Sequence, residues 1–94
     1  MNKYIASRLT EGNRLFPTQI IINDFGVTVK MPSLFSGKEQ KIPFSRISSV
    51  NIECPFVGYS KIHIESTGEG QISAYGFLRI EVIEMKEQIL SRIE

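Results

Sequence analysis

The sequence has no tryptophan, one cysteine and one histidine in 94 residues. A single thiol, Cys54, closes no intrachain disulfide, and small secreted domains usually depend on such bridges. One histidine, one cysteine and singly scattered acids do not make the four-ligand cage of a zinc site, so no metal and no cofactor is expected. An excess of charge of one sign is also missing. Eleven basic residues face ten acidic ones, for a net charge of +1. A domain that neutralises many phosphates carries a clear basic excess, so nucleic acid is not an expected partner. Long hydrophobic runs are absent as well. The longest purely aliphatic run is Ile20-Ile21-Ile22, far short of the roughly 20 residues a membrane helix needs. Arg8 and Glu11 interrupt any signal-peptide core, and no Asn-X-Ser/Thr site occurs. These absences together predict a cytoplasmic location.

What is present is an ordinary globular balance, 41% apolar and 22% charged. A chain of this length buries about two-thirds of its unfolded surface, enough for one domain, residues 1–94, with one core. Turn clusters punctuate it at Thr10–Asn13, Asp24–Gly26, Pro32–Gly37, Pro55–Gly58 and Thr67–Gly70. Between them lie short segments with the period-two alternation of half-buried strands. The expected strands are 2–9, 19–23, 27–31, 38–44, 49–54, 60–66 and 71–77. Val27, Val29 and Met31 alternate with Thr28 and Lys30, and Lys61-Ile62-His63-Ile64-Glu65 alternates cleanly. Gly26 is expected to supply a positive φ in the hairpin before Val27. From Arg79 the period changes to that of a helix. Val82, Met85, Ile89 and Ile93 form one stripe, flanked by Ile83 and Leu90, while Glu81, Glu84 and Gln88 lie on the other side. Ile83, Leu90 and Ile93 are expected to pack over the open end of the sheets. No Ser, Thr, Asp or Asn stands at the cap position, which Leu78 fills.

Strand pairing can be registered by hand. Opposing Ile52 to Ile62 also opposes Val50 to Ile64 and Glu53 to Lys61. Carried to the last strand, Ile64 meets Ile72 and Ile62 meets Ala74. A slip of one residue would turn every apolar side chain to the wrong face.

The chemistry-bearing residues point away from catalysis. His63 falls on the outer face beside Asn51 and Ser73, where the register offers no acid to orient it. Cys54 shares the parity of Val50 and Ile52 and reads as a small buried hydrophobe. Asp24-Phe25-Gly26 is a hairpin turn, and Gly68-Glu69-Gly70 precedes a strand rather than a helix, so neither cradles a phosphate. No catalytic residue is assigned, and the chain is expected not to be an enzyme. Three apolar loop segments remain: Leu15-Phe16, Leu34-Phe35 and Pro55–Tyr59. A domain this small needs its aromatic residues, so these are expected to fold back over the ends of the core. The alternative is a partner surface.

The order of elements, seven short strands and then one helix, resembles the pleckstrin-homology-like (PH-like) family. The stretches Leu15–Ile20 with Gly26–Val29, Ile42–Val50, and Gly76-Phe77 before Glu81-Val82 resemble its bacterial branch over residues 15–93. The resemblance implies a mainly β fold, a PH-like sandwich of two near-orthogonal antiparallel sheets capped by the C-terminal helix. It further implies a non-catalytic interaction module. Phosphoinositide-binding members carry a Lys-then-Lys/Arg-X-Arg pattern in the first hairpin, where this chain has only Lys3, Arg8 and Arg14. The expected partner is therefore a protein or peptide, or a second copy in a homo-oligomer. A membrane surface with anionic headgroups is the alternative. Related peptide-binding domains add a strand beside the C-terminal helix. The corresponding expected site is the Val50–Cys54 edge with Asn51 and Glu53, the loop residues Phe56 and Tyr59, and Met85 and Ile89 of the helix.

Overall fold

The computed structural model describes residues 2–7, 17–31, 37–68 and 70–93. Seven strands and one helix follow in order: β1 (Asn2–Ile5), β2 (Gln19–Ile22), β3 (Gly26–Met31), β4 (Lys38–Pro43), β5 (Ile47–Glu53), β6 (Ser60–Ser66), β7 (Gly70–Phe77) and α1 (Arg79–Ile93). They form a four-stranded sheet, β1-β2-β3-β4, and a three-stranded sheet, β5-β6-β7. All pairings are antiparallel. Both sheets and the helix contribute to one core, which includes Ile20, Val27, Val29 and Ile42 from the first sheet, Val50, Ile62 and Ile64 from the second, and Val82, Met85 and Ile89 from α1. The mainly β architecture closed by one C-terminal helix is thus the one the sequence predicts.

The expected register of the second sheet holds at every pair. Ile52 faces Ile62, Val50 faces Ile64, Glu53 faces Lys61 and Asn51 faces His63. Ile64 faces Ile72, Ile62 faces Ala74 and His63 faces Ser73. Two bulges interrupt it, one between Ile47 and Ser49 and one opposite Ser60/Lys61. At the second, Gly76 is the extra residue and takes φ +111°, a conformation L side chains avoid.

The hairpin between β2 and β3 departs from expectation. Gly26 is not among the positive-φ glycines. It is required because the strands approach too closely for a side chain: a Cβ there would lie 2.0 Å from the carbonyl oxygen of Ile42. The turn is held by Asn23, whose Oδ1 accepts the N–H groups of Phe25 (2.9 Å) and Gly26 (3.2 Å). The fourth strand ends at Pro43, and Phe44–Arg46 is a 3₁₀ turn.

The helix start is capped in an unexpected way. Leu78 has no polar side chain, but Glu81 Oε1 accepts the Leu78 N–H at 2.8 Å. The carbonyl of Leu78 accepts from Val82 N at 3.2 Å. This is the reciprocal half of a capping box, with the acid also favourably placed against the helix dipole.

The helix buries a different stripe from the one assigned to the core contact. Val82, Met85 and Ile89 are fully buried, Ile93 is half-buried against the core, and Ile83 and Leu90 are only half-buried. Glu84 and Gln88 turn toward β1, where Gln88 Nε2 donates to the Tyr4 hydroxyl at 2.7 Å and Tyr4 donates to Glu84 at 3.2 Å. Burial raises the Tyr4 phenol above its ordinary pKa, so it stays a donor at neutral pH. No helix among the described residues is long and apolar enough to cross a membrane.

Candidate functional site: the free edge of strand β5

Each sheet has two edges; those of β4 and β1 are guarded, and that of β7 is covered at one end. Strand β4 exposes Lys38, Glu39, Gln40 and Lys41 in succession, and Glu39 bridges Lys30 and Lys41 at 3.5 and 3.9 Å. Charges along an edge deter an incoming strand. Strand β1 is four residues long and lies beside the helix, with Asn2 donating to Gln88 at 2.7 Å. Strand β7 is bulged and gives the Gly76 carbonyl to Ser7 N at 2.8 Å. Its Gln71–Ser73 stretch shares a depression with Lys38–Gln40 of β4.

Strand β5 has a bulge between Ile47 and Ser49 and, like the Gln71–Tyr75 stretch of β7, is paired on one side only among the described residues. It is seven residues long, Ile-Ser-Ser-Val-Asn-Ile-Glu, and is hydrogen-bonded in the sheet only to β6. Its single charge is Glu53, and that carboxylate is occupied. Glu53 Oε2 lies 2.5 Å from His63 Nε2, while Ser73 Oγ lies 2.6 Å from His63 Nδ1. A carboxylate can only accept, so Nε2 carries the proton and, in the neutral ring, Nδ1 accepts from Ser73. The hydrogen bond from His63 is the chief reason the Glu53 carboxyl sits below its ordinary range, with the charges of His63 and Lys61 assisting and partial desolvation opposing.

This corrects the expectation that His63 has no acid to orient it. Glu53 is in register with Lys61, but its side chain reaches the diagonal neighbour instead. Lys61 lies over the Tyr75 ring, 5.8 Å from its centroid. A serine, a histidine and an acid thus run in a chain across three strands. A hydrolytic triad uses the same three groups, with serine on Nε2 and acid on Nδ1, the reverse of this order. It also needs donors aimed at the developing oxyanion. Around Ser73 the main-chain N–H groups lie in the plane of the sheet, not above its outer face. The described residues contain no cluster of three His, Cys, Asp or Glu side chains able to hold a metal ion.

The residues expected to form the partner surface divide into two groups. Asn51, Glu53 and Phe56 are exposed, and Tyr59 is half-buried with its hydroxyl accepting from Ser7 Oγ at 3.1 Å. Phe56 is 100% and Val57 81% exposed, so this loop does not fold back over the core, contrary to expectation. Leu15-Phe16 and Leu34-Phe35 lie outside the described residues. Val50, Met85 and Ile89 are buried, so their side chains cannot touch a partner. Val50 offers the edge only its backbone. The correction follows from helical geometry. With Glu84 and Gln88 turned to β1 and Val82, Met85 and Ile89 to the core, the opposite flank consists of Ile83, Lys86 and Leu90. All three are half-buried. Since α1 packs against β5 and its other flank faces β1, this flank is the one on the β5 side, while half-buried Ile52 and Cys54 of the β5 end pack against the core. Sequence reasoning missed this flank because two adjacent stripes of this helix are both apolar, and periodicity alone does not say which one meets the core.

No protein-family model matches the chain, and no curated protein or solved structure compared with it matches either.

Proposed function

We propose that this chain is a non-catalytic interaction module of the PH-like kind, which binds an extended protein or peptide segment by adding it as a strand to β5. The observation that carries the reading is the unguarded edge. Six of the seven β5 residues are uncharged, the seventh is tied to His63, and a half-buried apolar flank of α1 lies alongside. An added strand gains main-chain hydrogen bonds from such an edge and packs alternate side chains into the groove. The outward loop with Phe56 and Tyr59 extends the surface at one end of the strand. The order of seven strands and one helix supports the PH-like reading, and the serine-histidine-acid chain on an open sheet face supports a structural rather than catalytic use.

The test is to guard the edge as β4 is guarded. Ser48 and Asn51 are exposed, and losing the Ser48 hydroxyl bond to the Glu65 carbonyl should cost about 1 kcal/mol or less, so the double variant Ser48→Lys/Asn51→Lys should stay folded. Peptides selected from a displayed random library on the wild type should lose binding to the variant. Light scattering on both proteins reads self-association through the same edge. Equal peptide affinity and unchanged mass in a folded variant would show that β5 is not the site.

A second reading rests on the exposed loop tip. Phe56 and Val57 are 100% and 81% exposed, and Leu78 and Ile80 at the helix start 55% and 59%; Lys61 shares a shallow depression with Pro55 and Tyr59 of the same loop. Apolar tips flanked by cations suit an anionic membrane surface. Pelleting with anionic vesicles, abolished by Phe56→Ser, would favour this reading over strand addition.

A further inference from the structure

We propose that the strand accepted beside β5 is apolar at alternate positions and carries a carboxylate facing Lys86, an inference that rests on strand addition at that edge. Lys86 is half-buried in the flank that borders the groove. At the helix spacings where ion pairs form, its neighbours are Val82, Ile83, Ile89 and Leu90, none of which can pair with it. The other described ion pairs join Lys30 and Lys41 to Glu39, His63 to Glu53 and Arg92 to Asp24. No ion pair joins Lys86 to an acid among the described residues. A cation set between Ile83 and Leu90 is screened less than one in open water, so it discriminates strongly by charge. Ile83 and Leu90 supply the apolar contacts on either side of it. Glu53, the one acid of β5, belongs to the outer face and is held there by His63.

The same lysine argues against a second copy as occupant. The strand that a second copy would add is β5 itself, whose one acid, Glu53, is held on the outer face by His63 and so would leave Lys86 without a counter-charge at the interface. A separate acidic and apolar strand meets no such penalty.

The experiment uses the full chain, ¹⁵N-labelled, and three capped nonapeptides in which Val occupies positions 1, 3, 7 and 9 and Thr the even positions. The fifth residue, on the valine face, is Glu, Gln or Lys. The expected result is amide shifts along β5 and the 83–90 flank, with the Glu peptide bound about tenfold more tightly than the Gln peptide. Lys86→Glu should reverse the order in favour of the Lys peptide. If that variant does not fold, Lys86→Gln should bring the Glu and Gln peptides to equal affinity. Equal binding of all three peptides at β5 would overturn the acidic preference and leave strand addition standing. Shifts that avoid β5 altogether would overturn both. A wild-type dimer that Ser48→Lys/Asn51→Lys dissociates would replace the acidic strand with a second copy.

Discussion

Ile89 and Leu90 are adjacent residues of similar size, and replacing each with alanine should have very different consequences. Ile89 is 0% exposed and sits on the buried stripe with Val82 and Met85, whereas Leu90 is half-buried on the groove flank. Ile89→Ala removes three carbons from a closed core. At about 0.8 kcal/mol per buried methylene that is about 2.4 kcal/mol, and an unrelaxed cavity adds about 1–2 kcal/mol more. A chain of 94 residues has about 5–14 kcal/mol of stability in all, so the variant should stay folded but lose a large share. With a urea slope of about 1–2 kcal/mol/M, its midpoint should fall by about 2–3 M. Leu90→Ala should cost about 1 kcal/mol or less, because part of its surface already meets water and alanine is the better helix former. Urea denaturation followed by far-ultraviolet circular dichroism measures both. Equal losses for the two variants would refute the assignment of Leu90 to the groove wall, and with it the site proposed beside β5.

Two further substitutions test the backbone and the core. Gly26→Ala should destabilise by about 2–3 kcal/mol in the same assay, since the new Cβ would strike the Ile42 carbonyl; a gain of about 0.4–1 kcal/mol, expected if only chain entropy mattered, would show that the strands can part. Ser60→Ala should raise stability by about 0.5–2 kcal/mol, because Ser60 Oγ is buried with no hydrogen-bond partner among the described residues, and a loss above about 1 kcal/mol would reveal a partner for it.

Much of this fold was legible because period-two alternation is a direct imprint of a sheet with one buried face. Ile62, Ile64, Ile72 and Ala74 have a single register that buries them all, and that register placed Glu53, Asn51 and Ser73 correctly around Lys61 and His63. Features decided by close approach were not legible. Gly26 looks like any turn glycine until the Ile42 carbonyl is seen beside it. The Leu78 cap was invisible because its acceptor lies three residues on, in Glu81. The site was half legible. The open edge of β5 followed from counting strand partners, and Asn51, Glu53 and Phe56 are where they were expected on the surface. The helix side was misassigned because Val82–Met85–Ile89 and Ile83–Leu90 are both apolar stripes, and only the hydrogen bonds of Glu84 and Gln88 to Tyr4 fix how α1 is rotated.

The Glu53–His63 pair yields a prediction whose sign can be worked out. Glu53 faces Lys61 across the ladder yet bonds to His63, and that hydrogen bond is the first cause of its lowered pKa, ahead of the attraction of Lys61. A carboxyl whose folded pKa is depressed stabilises the fold above its unfolded value. The contribution is lost as pH falls through the folded value, because protonation then costs the native state its bond. Wild type and Glu53→Gln should therefore differ in urea midpoint at neutral pH and converge on acidification below the carboxylate range. In a carbon-detected titration of the Glu53 carboxyl, His63→Gln should move its midpoint up toward the ordinary value, while Lys61→Gln should move it much less. The reverse order would mean that the ladder neighbour, not the diagonal histidine, holds the acid. The chain of serine, histidine and acid across the three strands would then be open at its acid end, and His63 would be oriented by Ser73 alone.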